Sequence, residues 1–163
     1  MMFLAGIFMI LSVSYASSLH KKGMEVYAPA KAQKFDDSAP IFSGNVSVRG
    51  IVGGHGYSDL TSAEVEFTPN ARSAWHTHPR GQLLIVTKGS GLVQEWGKEA
   101  KSMKAGQVVW TPAGVKHWHG ATDKTSVTHY AIQELVDGPG TNVNWLEKVS
   151  DETFKLANKV VNE

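Results

Sequence analysis

The sequence predicts an all-β domain, a sandwich or barrel of about six to eight short strands, and three observations carry that prediction. Between Ile41 and Leu135 the chain runs in stretches of about five to nine residues broken by Gly or Pro. Within those stretches apolar and polar residues alternate, the period of a strand with one buried face. The length, 163 residues with no evident internal repeat, suits one domain able to bury a core without covalent staples.

Taken in order, VSVRGIVGG ends at Gly53-Gly54, and AEVEF alternates until Thr68-Pro69. QLLIVT then runs into Lys88-Gly89-Ser90-Gly91, and LVQEW returns, which is a hairpin signal. QVVWT meets Pro112-Ala113-Gly114, KHWHGA follows, and SVTHYAIQEL closes at Asp137-Gly138-Pro139-Gly140. Upstream, Lys21 to Pro40 is polar and non-periodic, an arm with one short strand pairing at an edge. Downstream, Asn142 to Val149 and Ser150 to Val161 read as helix. Ser150 is the expected N-cap, with Asp151 and Glu152 in the first turn facing the positive end of the helix dipole. Trp145, Leu146, Val149, Phe154, Leu156 and Val160 supply the expected apolar face.

The first 19 residues carry no charge, and Met1 to Val13 is almost wholly apolar but short for a bilayer-crossing helix. Ser14-Tyr15-Ala16 offers the small residues a signal peptidase prefers, although the only nearby basic pair, Lys21-Lys22, follows the run instead of preceding it. The reading is a signal peptide over residues 1–16, an N-terminal arm over 17–40, and a single domain over 41–163 with a helical segment at 142–161. It makes the protein exported, periplasmic or secreted, with no stable membrane insertion after cleavage. An uncleaved anchor and a buried strand are the alternatives.

Zero Cys excludes disulfides, thiol nucleophiles, iron–sulfur clusters, thiolate-ligated zinc and a lipid-modified cysteine. Sixteen basic and fifteen acidic residues leave a net charge of +1 with no long run of either sign, against a nucleic-acid partner.

Five of the seven histidines (His76, His78, His117, His119 and His129) lie in the strand region. Residues i and i+2 of a strand share a face, so His76 and His78 point one way, as do His117 and His119. His129, Ala131 and Gln133 form a third row. A lone strand histidine is ordinarily a satisfied core or surface residue. Two such pairs plus a fifth, on strands built from Val, Leu, Ile and Trp, would cost several kcal/mol to bury unpartnered, and this points to a bound metal held by imidazole and oxygen donors. Trp75, Trp110 and Trp118 flank these residues and read as barrel wall. Arg80-Gly81 reads as a turn, His55 as a loop residue, and His20 carries no signal.

The segment WHTHPRGQLLIVTKGSG resembles the first cupin motif, and GQVVWTPAGVKHWHG, from Gly106 to Gly120, resembles the second. This resemblance implies a double-stranded β-helix, a jelly-roll barrel, with one divalent metal ion inside. Matched position by position, the implied ligands are His76, His78, Gln82 and His117. Gln82 stands where most cupins have Glu. Three neutral imidazoles and an amide would leave the charge of the ion uncompensated, favouring an anionic oxygen ligand and strong Lewis acidity. Proton transfer would then fall to a nearby side chain, with His119 and His129 available.

A narrower likeness, from about Ala71 to Phe154, is to the bacterial manganese-dependent cupin hydroxynitrile lyases, whose ligand set is also three His and one Gln. It implies cleavage of (R)-cyanohydrins to aldehyde and HCN, and the reverse addition. His119 and His129 become the acid/base residues, and Ala63, Val65 and Gln133 line the pocket for a small-molecule substrate. Manganese is the implied ion, with iron, zinc, nickel and cobalt also compatible with the donors. The expected assembly is a homo-oligomer, dimer or tetramer. A cupin dioxygenase, a sugar-modifying isomerase and a non-enzymatic small-molecule binder are the competing functions.

Overall fold

In a computed structural model, which describes residues 23, 24, 26, 28–53, 58–136 and 142–162, the alternating stretches form twelve strands and one helix. The signal-peptide reading, His20, His55 and the turn at 137–140 lie outside the described residues. The strands are β1 (Gln33–Phe35), β2 (Phe42–Ser43), β3 (Val46–Val52), β4 (Leu60–Phe67), β5 (Arg72–Ser73), β6 (His76–Thr77), β7 (Gln82–Glu95), β8 (Lys101–Lys104), β9 (Val108–Thr111), β10 (His117–Ala121), β11 (Val127–Glu134) and β12 (Asn144–Trp145). The helix is α1 (Asp151–Asn162). They make a nearly closed antiparallel barrel, the jelly roll that the sequence motifs imply.

One wall runs β1-β3-β4-β11-β7-β9 and the other β2-β5-β10-β7-β8. The free edge of β10 takes β5 and then β6, and β6 in turn pairs with β12. The observed strands outnumber those expected because β2, β5, β6 and β12 are two residues each, too short for an alternation signal.

The hairpin expected at Lys88–Gly91 is instead a bend inside one 14-residue strand, β7. Gln82 to Ile85 pairs with β9 in the first wall, and Ser90 to Val93 pairs with β8 in the second. Gly89 makes the bend at φ +66°, a left-handed conformation that favours glycine, and a Cβ there would run into the Ser126 carbonyl oxygen. Glycine after an apolar run serves a reversal and a kink equally well, which is why the sequence signal misleads.

Alternation sends side chains into two cores. Val48, Val65, Phe67, Leu84, Val86 and Val127 fill the barrel. Trp75, Leu92, Trp118, Val149, Phe154 and Ala157 form a second cluster between the barrel wall and α1. Strand β10 serves both: His117 and His119 point inward, while Trp118 between them packs on Phe154, with ring centroids 6.0 Å apart. Trp75 and Trp118 are wall residues as expected. Trp110 is not, since it is largely exposed on β9.

The C-terminal expectation needs two corrections. Residues 142–150 are not helical: Asn144–Trp145 pair with β6, Leu146 N–H donates to the Trp75 carbonyl, and Trp75 N–H donates to the Glu147 carbonyl. Pairing at the barrel edge satisfies those backbone groups better than a short exposed helix would. The helix begins where the cap predicts, with Ser150 Oγ accepting from Thr153 N–H at 3.1 Å. Its buried face is Phe154, Ala157 and Asn158, whereas Leu156 and Val160 are exposed. Asn158 earns its buried place by hydrogen bonding, accepting from Asp123 N–H and donating to the Phe154 carbonyl. Arg72 locks the helix down, bonding to Asp151 at 2.6 Å and the Val149 carbonyl at 3.0 Å beneath the Phe154 ring.

Gly89→Ala should therefore destabilise the fold by about 1–3 kcal/mol in denaturant titrations, through left-handed strain and the clash with Ser126. Gly97, at φ +76° but with free space around it, should lose less on the same change, since it bears the left-handed strain without the clash.

Candidate metal centre

The centre begins with a cross-strand pair. His76 on β6 lies directly opposite His117 on β10, so their rings meet on the inner face with centroids 4.2 Å apart. His78 and His119 follow at i+2 on their own stretches. His78 lies 5.1 Å from His76 and 5.7 Å from His117, and His119 lies 5.2 Å from His76. Gln82, at the start of β7, brings its Oε1 to 3.1 Å from His117 Nε2. Behind His119, on β11, His129 Nε2 is 3.1 Å from His119 Nδ1, and Phe67 packs against both rings.

Backbone carbonyls set the ring tautomers. His76 Nδ1 faces the Ala74 carbonyl at 2.9 Å, His117 Nδ1 the Val115 carbonyl at 2.9 Å, and His78 Nδ1 the Asn142 carbonyl at 2.6 Å. A carbonyl can only accept, so each Nδ1 carries the proton and each Nε2 holds a lone pair. Two consequences follow for the fit of a metal ion. His78 Nε2 is buried without a hydrogen-bond partner. His117 Nε2 and Gln82 Oε1 are both acceptors, and two acceptors at 3.1 Å call for a cation beside them. This donor set suits a divalent ion bound through nitrogen and amide oxygen.

The charge state suits it as well. Burial pushes the pKa of His76 well below its usual value, with His117 and His78 adding to the effect. Burial also takes His78 and His129 down to about 4, and lowers His117 against the opposing pull of the Val115 carbonyl and Glu95. His119 falls well below its usual value through burial and then the neighbouring His129. All five rings are thus neutral at pH 7, the form that coordinates metals.

By distance alone, one nitrogen each from His76, His117 and His119 lie within 4.8 Å of one another, and this trio could hold a metal ion. That trio differs from the ligand set implied by the motifs, which has His78 and Gln82 in place of His119. His119 Nδ1 is engaged by His129, as the Nδ1 atoms of His76, His78 and His117 are by carbonyls, and His78 Nε2 is buried without a partner.

The remaining sequence-derived positions converge here too. Ala63 and Val65 lie on the inner row of β4, opposite Ala131 and His129. Gln133, at the far end of β11, has its Oε1 3.4 Å from Gln82 Nε2. Sequence reasoning missed Thr61 and Asn142. Thr61 Oγ1 bonds to Gln133 and to Asn142 Nδ2, and Asn142 supplies the carbonyl behind His78. The i+2 row Thr61-Ala63-Val65 could have flagged Thr61. Nothing local marks Asn142, whose contribution to His78 is a backbone atom.

A jelly-roll barrel with inward histidines on these strands defines a cupin. Residues 63–132 match the cupin domain family, and the chain belongs to that family. It is 45% identical over 117 residues to the (R)-mandelonitrile lyase of Granulicella tundricola, covering 72% of this chain and 88% of that one. Among solved structures it is similar to a cupin-like protein of Thermotoga maritima, at 37% identity and a TM-score of 0.71 over 83% of this chain and 98% of that chain. The polyketide cyclase RemF of Streptomyces resistomycificus shares the fold alone, at 16% identity and a TM-score of 0.60, covering 82% of this chain and 92% of that one.

The depressed histidines give a signed pH dependence. In the unfolded chain they take up protons near pH 6.5, whereas folded His78 and His129 stay neutral down to about 4. The unfolded state therefore binds more protons in that window, and stability falls as pH drops through it. Denaturant titrations of metal-free protein at pH 7 and pH 5 should show a loss of order 1 kcal/mol per pH unit for each such histidine. His129→Phe should flatten that slope.

Proposed function

We propose that this cupin is a metal-dependent carbon–carbon lyase that cleaves (R)-cyanohydrins to an aldehyde and HCN, and catalyses the reverse addition. The observation that carries the reading is the His119–His129 pair. A neutral imidazole, braced from behind by a second one, lies among the histidines able to hold an ion. The 45% identity to a protein named (R)-mandelonitrile lyase supports the same reaction class.

His76, His78, Gln82 and His117 would hold the ion, with manganese as the proposed metal. The chemistry a divalent ion supplies there when bound is Lewis acidity toward an alkoxide oxygen. Gln82 contributes an amide and no charge, so the protein does not blunt that acidity. His119, with Nδ1–H donated to His129 Nε2, keeps its Nε2 lone pair for the substrate hydroxyl proton. The C–CN bond then breaks with its electron pair leaving on cyanide, and the carbonyl forms. The proton on His119 passes to cyanide, giving HCN and restoring the neutral ring. His129 acts by accepting the Nδ1–H bond while His119 is briefly cationic in a buried site. Ala63, Val65 and Gln133 would shape the pocket for the aldehyde portion.

Metal-loaded protein should release cyanide from racemic mandelonitrile and consume the (R) enantiomer. Chelation should abolish the reaction, and manganese should restore it. His119→Ala or His129→Ala should retain the ion but lose about 10²–10⁴-fold in turnover. Full activity in both variants, or oxygen uptake without cyanide release, would sink the assignment.

A second expectation concerns Gln82. Gln82→Glu should still bind the ion yet turn over more slowly, because a carboxylate offsets charge that the reaction uses. Unchanged kinetics at unchanged metal content would refute that argument.

A further inference from the structure

We propose that Thr61 is a positioning residue that fixes the tautomer and ring orientation of His78, acting through Asn142. The three histidines with carbonyl-bound Nδ1 atoms are not held alike. His76 and His117 bond to Ala74 and Val115, each two residues back on its own chain segment. Their orientation follows from local backbone and survives most distant changes. His78 bonds to the Asn142 carbonyl, 64 residues away in sequence. Of the three, it alone depends on the placement of a separate segment.

Beyond the pairing of Asn144–Trp145 with β6, Asn142 itself is tied to the barrel by Thr61. Asn142 Nδ2 donates to Thr61 Oγ1 at 2.9 Å, across 81 residues. The same hydroxyl accepts from Gln133 Nε2 at 3.2 Å and donates to the Gln133 carbonyl at 2.9 Å. A hydroxyl has one proton and two lone pairs, and Thr61 uses all of them. It joins β4, β11 and the Asn142 segment at one oxygen atom. Gln133 continues the chain to Gln82, so two of the proposed ligands, His78 and Gln82, are oriented from this one hydroxyl. Valine has the shape of threonine and can make none of these bonds.

Among the described residues His78 Nε2 is, with His129 Nδ1, one of two buried imidazole nitrogens without a hydrogen-bond partner, and it presents a lone pair only while Nδ1 keeps the proton. Loss of the Thr61 hydroxyl releases Asn142, moves the carbonyl away from Nδ1 and lets the other tautomer form. The link to ion binding rests on the ligand assignment proposed above, but the tautomer itself does not.

Long-range proton–nitrogen spectra of isotope-labelled protein read ring tautomers directly, without metal or substrate. Wild type and Thr61→Ser should hold His78 in the Nδ1–H form. Thr61→Val and Asn142→Ala should each give a tautomer mixture at His78, with His76 and His117 unchanged as internal controls. Manganese affinity, measured by electron paramagnetic resonance, should drop about 10–100-fold in the same two variants and recover in Thr61→Ser. A His78 that stays wholly Nδ1–H in both Thr61→Val and Asn142→Ala overturns the proposal. Failure to release cyanide alongside the tautomer shift would remove the lyase reading and uphold the positioning role.

Discussion

Five imidazoles share the inside of one small barrel, and each buried nitrogen must be satisfied or directed at something that will satisfy it. A single unmet polar group costs about 1–3 kcal/mol in such a setting. The fold meets this by giving three Nδ1 atoms to backbone carbonyls and one to a second histidine. Those bonds make burial tolerable, and the three to carbonyls also decide which nitrogen of His76, His78 and His117 is left with a lone pair, while His129 Nδ1 stays unpartnered. The arrangement of donor atoms is thus a by-product of hydrogen-bond bookkeeping in a dry interior.

Keeping the rings in place falls to the strand that belongs to both walls. β7 begins with Gln82 in the centre, bends at Gly89, and continues as the partner of β8 and β10. The first half pairs with β11 and brings Val86 opposite His129, with a register shift beside that residue. The second half pairs with β10 and sets the register of His117 and His119. On the outer side, Trp118, Phe154 and the Arg72–Asp151 bond hold that wall against α1. The helix lies outside the site and supports it by fixing the back of the strand that carries two of its histidines.

The electrostatics separate this centre from a carboxylate-bearing one. Its proposed donors are neutral at pH 7, and the amide of Gln82 stands where a negative charge would moderate a cation. A cupin barrel accommodates many reactions, so particular groups must select among them. In the proposed reading, the neutral donor set and the braced His119 are the groups that serve proton-coupled chemistry.

Much of the fold and most of the centre were legible in the sequence because they follow from short-range rules. A period of two places His76 with His78 and His117 with His119, and Gly and Pro mark the strand ends. Ser150 caps its helix through a bond three residues long. Misreadings arose where local chemistry has two outcomes. Lys88–Gly91 suits a turn or a bend, and residues 142–149 suit a helix until β6 offers backbone partners. Leu156 and Val160 are apolar enough to be buried, yet the barrel meets the face carrying Ala157 and Asn158. Only the tertiary structure could decide that Asn142 and Thr61 hold His78, since those bonds span 64 and 81 residues and one of them uses a backbone oxygen. Residue identity sets what each side chain can bond to. Chain closure into a barrel determines which distant atom is there to meet it.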